Sequence, residues 1–120
     1  MIYKIQPVPK PRMLQSDRWR RRPAVLRYWR FCDECRLRKV WVPESGGSIT
    51  FYLPIPPSWP AKKRALFDGQ PHRQKPDLDN LGKSVLDAIY QDDCCVHDLH
   101  LSKRWTSEAV GYFTVEVELT

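Results

Sequence analysis

The sequence predicts an α+β fold, in which a mixed β-sheet carries helices packed on one side. Residues 48–55 and 109–119 alternate apolar and polar side chains, as half-buried strands do. Residues 24–39, and the stretch that begins at Asp79, repeat apolar side chains at helical spacing. The resulting order β-α-β-α-α-β-β, in a chain of 120 residues, indicates one domain over residues 1–120.

The first part of the chain is expected to form an edge strand, a basic loop and a helix. Residues 2–8 have the pattern of a short strand, which two prolines end or confine to a sheet edge. Pro23 suits the first turn of the helix at residues 24–39. The apolar positions of that helix are Val25, Trp29, Cys32 and Leu37. We expect Trp29 and Trp41 to lie in the core.

After the strand at residues 48–55, the sequence predicts two helices and two strands. Ser58 is the expected N-cap of a short helix, and Gly69 lies beyond its end. Asp79 is a suitable cap for the second helix. The apolar positions of the second helix are Leu81, Val85, Ala88 and Ile89. A strand at residues 94–101 should then connect through KRWTSE to the last strand.

Composition excludes several classes of protein. With 42% hydrophobic and 28% charged residues, the chain is expected to be soluble and globular. It has no run of about 18 apolar residues, which argues against a membrane-spanning helix. Its first residues lack the apolar core of a signal peptide. We therefore expect a cytoplasmic protein whose four cysteines are reduced thiols.

The net charge of +6 is unevenly distributed along the chain. Residues 1–40 hold twelve Lys and Arg against three Asp and Glu, whereas residues 41–120 hold eight against eleven. A basic arm beside an acidic cluster suits a polyanion that is held against a metal site. An ordinary solvated charged surface is the alternative.

Five aspartates fall within nineteen residues, and we call them the aspartate cluster. They are Asp77, Asp79, Asp87, Asp92 and Asp93. A purely structural account makes Asp77 or Asp79 a helix cap and pairs Lys83 with Asp79 and Asp87. It leaves the last two aspartates as a polar turn.

A functional account treats the same residues as a magnesium site. Mg²⁺ takes oxygen ligands, usually one or two protein carboxylates, and completes its octahedron with water and substrate phosphate. Asp77 and Asp79 stand at the start of a helix, where both side chains can point the same way. Lys83, one turn further on, is placed to neutralise charge on a scissile phosphate. These groups meet the needs of phosphodiester hydrolysis, although two close aspartates with a distant acidic pair also fit many other metal sites.

The length of the second helix limits how Asp93 can join this site. From Asp79 to Ala88 a helix rises roughly 14 Å, and the five steps from Ala88 to Asp93 recover at most about 16–18 Å. A site shared by Asp79 and Asp93 of one chain is therefore possible, with a tight return. If the helix continues through Tyr90, Asp93 reaches the site only from a second subunit or through movement.

The order DLDN, LGK, VLDA and DD, over residues 74–96, resembles the signature of the RusA family of Holliday-junction resolvases. The segment from Phe51 through that signature is similar to phage-borne members. The resemblance implies a homodimer that cuts four-way DNA junctions, with three aspartates that bind magnesium and an assisting lysine. It therefore implies a Mg²⁺-dependent, structure-selective endodeoxyribonuclease that resolves Holliday junctions and other branched DNA in recombination and repair.

Carried over by motif, the resemblance makes Asp77, Asp79 and Asp93 the metal ligands and Lys83 the catalytic lysine. The family usually has several more residues between the helix and DD, where this chain has only YQ. The choice between Asp92 and Asp93 therefore stays open.

Basic and aromatic side chains provide the candidate DNA contacts. They are Arg18, Trp19, Arg20, Arg21, Arg22, Lys62, Lys63, Arg64, Arg73 and Lys75. Phosphate contacts position a nucleic acid without reading its sequence, and an aromatic ring can stack on an unpaired base. Trp19, among arginines, is the best stacking candidate.

A zinc-stabilised DNA-binding module without catalysis is the alternative function. Its candidate ligands are Cys32, Cys35, Cys94, Cys95, His97 and His100. Against it, the CxxC motif lies inside a helical pattern, and adjacent cysteines do not easily chelate one ion. The two histidines also fall on opposite faces of a predicted strand.

Overall fold

Four strands form one mixed sheet in the order β1-β4-β2-β3. They are β1 (Ile2–Tyr3), β2 (Gly47–Pro54), β3 (Leu99–Thr106) and β4 (Tyr112–Val117). Strand β2 pairs in parallel with β3 and antiparallel with β4, which pairs antiparallel with β1. The computed structural model describes residues 1–18 and 22–118, except for the side chains of Asp17, Arg18 and Asp93.

Three α-helices accompany the sheet, and the α+β prediction is confirmed. They are α1 (Pro23–Leu37), α2 (Ala61–Phe67) and α3 (Leu78–Ile89), and short 3₁₀ turns occupy Gln15–Arg18 and Asp93–Cys95. Ile49, Phe51 and Leu53 alternate along β2 and are buried under α1 and α3. None of the described helices is long and apolar enough to cross a membrane.

Helix α3 packs against strand β3 at a glycine. A Cβ atom on Gly82 would lie 2.6 Å from Cδ1 of Leu101, so any larger residue here would require the Leu101 side chain to move. Leu81, Val85 and Ala88 are buried, as the helical spacing predicts. The close approach sets the second turn of α3 beside the first half of β3.

The buried face of α1 differs from the prediction. Its buried residues are Val25, Tyr28, Phe31, Cys32 and Cys35. Trp29 and Trp41 are 40% and 57% exposed, so both core predictions were wrong, and Leu37, an expected apolar position of the helix, is 79% exposed. Tyr28, Cys32 and Cys35 lie on the face of α1 that packs against the core. Trp29 lies on the solvent-exposed face of the same helix.

Several predicted boundaries also shift. Strand β1 ends at Tyr3 instead of residue 8, and Ser58 does not cap α2, whose N-cap position is held by Pro60. Strand β3 begins at Leu99 and continues through Thr106, because it pairs in register with the whole of β2. Most of KRWTSE therefore belongs to a strand and not to a connection.

Candidate metal and DNA-binding site

Two carboxylates of the aspartate cluster lie at the N-terminal end of α3. Asp77 occupies the N-cap position but makes no capping bond with its side chain, and Asp79 lies in the first helical turn. Both side chains are exposed. Asp79 forms no ion pair or side-chain hydrogen bond with any described residue. The account in which an aspartate side chain caps the helix is therefore wrong. The helix dipole still favours anionic groups at the N-terminal end of α3.

The carboxylate of Asp77 is held by a neighbouring lysine. Nζ of Lys75 donates a hydrogen bond of 2.8 Å to Oδ1 of Asp77. This bond, with the lysine charge, lowers the pKa of Asp77, and the charge of Lys103 contributes in the same direction. The same pairing raises the pKa of Lys75. Asp77 is thus an ionised carboxylate with one exposed ammonium group as its partner.

Lys83 is free of the ion pairs that the structural account predicted. It lies one turn after Asp79 on α3, is exposed, and pairs with neither Asp79 nor Asp87. Asp87 instead accepts a 2.5 Å bond from Nζ of Lys10. Among the described side chains, no acidic group forms an ion pair with Lys83.

The segment that leads into Asp77 is attached to the edge of the sheet. Main-chain hydrogen bonds join Gly69 to Trp105, Trp105 to Gln70 and His72 to Lys103. Residues 69–72 therefore run antiparallel beside β3. The attachment fixes where the chain enters the helix that carries the site.

Lys103 adds a side-chain attachment to the same segment. Its half-buried Nζ donates to the carbonyl oxygens of Gln74 and Pro76, the latter at 2.7 Å. The Lys75–Pro76 peptide bond in this segment is cis. Sequence reasoning missed Lys103 because it treated KRWTSE as a loop. The available signal was a lysine at an inward position of an edge strand, between Leu101 and Trp105.

Asp92 and Asp93 lie beyond the other end of α3. The helix ends at Ile89 and Tyr90 is extended, so the helix does not continue through Tyr90. Asp92 accepts a bond from the Cys94 main-chain N–H, which lowers the pKa of Asp92. The backbone of Asp93 starts a 3₁₀ turn, and its side chain lies outside the described part of the structure.

The connection between α3 and β3 is anchored at both of its ends. The Tyr90 hydroxyl donates to the carbonyl oxygen of Val42, and the His97 N–H donates to that of Glu44. Among the described residues, no three His, Cys, Asp or Glu side chains form a group that could hold a metal ion. The assignment of Asp93 as third ligand stays a prediction.

A family model described as endodeoxyribonuclease RusA matches residues 38–119, which include β2, α2, α3, β3, β4 and the whole aspartate cluster. The chain belongs to the RusA endodeoxyribonuclease family. Membership implies an endodeoxyribonuclease that acts on DNA junctions and binds branched DNA. No curated protein and no solved structure matches the chain.

Five of the predicted basic residues of this RusA-family chain lie on α2 or on the segment between α2 and α3. Lys62 and Lys63 are exposed, Arg64 is half-buried, and Arg73 and Lys75 are exposed on the segment that leads to Asp77. Arg22 donates a 2.7 Å bond to the carbonyl oxygen of Arg12. Trp19, Arg20 and Arg21, and the side chain of Arg18, lie outside the described residues. Their DNA contacts stay predictions.

The zinc alternative finds no support in the structure of this RusA-family chain. Cys32 and Cys35 are buried in the hydrophobic core. Burial raises the pKa of both thiols, that of Cys35 to about 12, whereas zinc requires thiolates. The side chains of Cys94 and Cys95 lie beyond α3, outside that core.

Proposed function

We propose that this protein is a Mg²⁺-dependent, structure-selective endodeoxyribonuclease that resolves Holliday junctions and other branched DNA in recombination and repair. The observation that carries the proposal is the pair of exposed carboxylates, Asp77 and Asp79, at the start of α3, neither of which caps the helix. We further propose that it works as a homodimer in the cytoplasm, where its free thiols would stay reduced.

The donor set fits a hard cation. Asp77 and Asp79 offer carboxylate oxygens, which Mg²⁺ prefers, and both are open to the water and phosphate ligands that it retains. Asp93 is the third ligand in this proposal. The chemistry that Mg²⁺ supplies when bound is polarisation of the phosphoryl oxygen and activation of the attacking water.

Two lysines have complementary roles in the proposal. Lys75 neutralises the charge of Asp77 in the free protein. When the Asp77 carboxylate binds the metal ion, the ammonium group of Lys75 is released and becomes available to a DNA phosphate. Lys83 directs its unpaired charge at the scissile phosphate, where negative charge builds up during cleavage. Lys62, Lys63 and Arg64, which we call the α2 cations, bind the flanking phosphates together with Arg73.

A homodimer suits both the substrate and the reach of Asp93. A four-way junction requires two symmetric cuts, which a two-fold dimer supplies. Asp79 to Ile89 spans about 15 Å of helix, and the four steps on to Asp93 recover at most about 13–14 Å when fully extended. The 3₁₀ turn that begins at Asp93 and the bond from Cys94 to Asp92 bend this connection. Side-chain reach covers a shortfall of about one or two ångströms, so length alone leaves a same-chain route open. We propose the route from the second copy, which a two-fold dimer would supply and mixed dimers test.

Cleavage of a synthetic four-way junction tests the function. With Mg²⁺, purified protein should introduce paired, symmetric cuts near the branch point, and it should leave a linear duplex of the same arm sequence uncut. Chelation of the metal should stop cleavage and leave junction binding intact. Binding without any cleavage in Mg²⁺, together with one zinc per chain by elemental analysis, would favour the zinc module instead.

A further inference from the structure

An aromatic cavity of about 420 Å³ lies between α2 and strand β3. The ring centroids of Trp59 and Phe67 are 5.3 Å apart, and those of Trp59 and Trp105 are 5.1 Å apart. His72 extends the cluster, with its ring 4.0 Å from that of Trp105. Burial, and after it the charge of Lys103, lower the pKa of His72, which keeps this ring uncharged. The volume is within the usual range for small-ligand pockets.

The cluster is not explained as part of the hydrophobic core. Helix α2 has no buried residue, although it carries two large apolar side chains, Leu66 and Phe67, which are 69% and 37% exposed. Trp59 is only half-buried. Helix α2 thus exposes aromatic surface to solvent beside Trp105. Exposed apolar surface is unfavourable in water, and a helix with a purely structural role would bury it.

The polar groups around the cavity suit a nucleotide. Gln70 and Gln74 supply amide groups that can pair with the edge of a base, and Lys63 and Arg73 supply positive charge for a phosphate. Nζ of Lys63 lies over the Trp59 ring, 4.0 Å from its centroid, so a base that stacks on this ring would displace the ammonium group, which could then bind the phosphate of the same nucleotide. No acidic residue lines the cavity among the described side chains.

The cavity adjoins the segment that carries the metal site. Gln74 lines the cavity, its carbonyl oxygen accepts a bond from Lys103, and it precedes Asp77 by three residues. Trp105 lies two residues after Lys103 on the same face of β3. A ligand in the cavity therefore contacts the two elements that position Asp77.

We propose that this cavity binds one unpaired nucleobase of branched DNA between Trp59 and Phe67. The two rings lie at 69° to each other, so the base would stack on one ring and meet the other with its edge. The proposal rests on the proposed function, which supplies branched DNA as the ligand. Continuous duplex offers no free base face, so the cavity would favour branch points over linear arms. This makes Trp59 and Phe67 residues that select the structure of the substrate.

The test uses full-length protein, excess chelator and a four-way junction with 2-aminopurine at the branch point or in the middle of one arm. The wild type should quench the branch-point probe and leave the arm probe unchanged. Phe67→Leu and Trp59→Leu should lose this quenching and weaken junction binding roughly tenfold. The matched control, Trp41→Leu, removes an exposed tryptophan outside the cavity and should behave as the wild type.

Four results would overturn or redirect the proposal. Unchanged quenching in both cavity variants, or equal quenching of both probes, overturns it while the proposed function stands. A change from dimer to monomer in Phe67→Leu would assign the cavity to contact between copies. If Trp59→Leu does not fold, as judged by circular dichroism, Phe67→Leu and Lys63→Gln decide the question alone. A wild type that neither binds nor cuts junctions overturns the proposed function, and the base site with it.

Discussion

Nζ of Lys103 lies 2.7 Å from the carbonyl oxygen of Pro76, so a lysine of an edge strand holds the peptide unit directly before Asp77. The same ammonium group also binds the carbonyl oxygen of Gln74. Two charge-assisted bonds to one short segment fix the position of Asp77 more firmly than the main-chain bonds at residues 69–72 do alone. Lys103 is therefore a positioning residue for the site.

The first prediction concerns Lys103→Met. The loss of both bonds should let the segment before Asp77 shift, and a displacement on the order of 1 Å costs about a hundredfold in rate. We expect a lower kcat at saturating Mg²⁺ and junction, with KM for the junction nearly unchanged. Lys103→Arg should recover part of the rate, and Lys4→Met, at an exposed ion pair with Glu108, is the matched control. Equal rates for Lys103→Met and wild type would rule out the positioning role.

A second prediction concerns the pairing of Lys75 with Asp77. Because Lys75 lowers the pKa of Asp77, the wild-type carboxylate stays ionised to lower pH than an ordinary aspartate. In Lys75→Gln the pKa of Asp77 should rise toward its usual value, so metal binding should be lost at a higher pH as the solution is acidified. At neutral pH the variant should bind Mg²⁺ at most about fivefold more tightly, since no ion pair must break. NMR titration of the Asp77 carboxyl and calorimetry measure the two effects, and an unchanged pKa would contradict the pairing.

The third prediction separates Asp93 from Asp92. Asp93→Asn should abolish cleavage at every practical Mg²⁺ concentration, because asparagine is a poor ligand for a hard cation. Asp92→Asn should retain most activity, since its side-chain oxygen can still accept the bond from Cys94. The reverse pattern would move the third ligand to Asp92.

Mixed dimers test whether Asp93 acts from the second copy. Asp79→Asn and Asp93→Asn chains are each inactive alone in this account. Their heterodimer should contain one complete site, built from Asp79 of one chain and Asp93 of the other, and should nick one strand of the junction. Persistent inactivity, with heterodimers shown by mass spectrometry, would place both aspartates of a site on the same chain.

The fourth prediction uses salt to measure how many DNA phosphates the α2 cations bind. Replacing Lys62, Lys63 and Arg64 by alanine should flatten the slope of log affinity against log salt by about 0.9 for each duplex phosphate that the variant no longer neutralises. The control, Arg38→Ala with Lys39→Ala, removes exposed positive charge at the end of α1 and should leave the slope unchanged. Equal slopes for the α2 variant and the wild type would make these cations an ordinary solvated surface.

The parts of the fold that depend on local pattern were predictable from the sequence. Helix α3 was predictable, because Leu81, Val85 and Ala88 repeat at helical spacing, and the structure buries all three. Asp77 and Asp79 at its start followed from the same pattern. The family resemblance added their proposed role, which spacing alone could not supply.

The parts that depend on long-range pairing were not predictable. The limits of β3 are set by its parallel register with β2, which lies some fifty residues earlier in the chain. Lys103 was therefore missed, because its contacts with residues 74–76 exist only once that register is known. Trp29 was misplaced for a related reason. Helical spacing allowed more than one inward face for α1, and the packing partner selects among them.

Magnesium binding and junction cleavage by Asp77→Asn and Asp79→Asn test the central claim most directly. Asparagine leaves the size of each side chain unchanged, and neither carboxylate caps α3, so both variants should fold and bind the junction as the wild type does. Calorimetry should show that each loses measurable Mg²⁺ affinity, and cleavage should fall below detection at saturating metal. If either variant binds Mg²⁺ and cuts the junction at nearly the wild-type rate, Asp77 and Asp79 do not form the metal site.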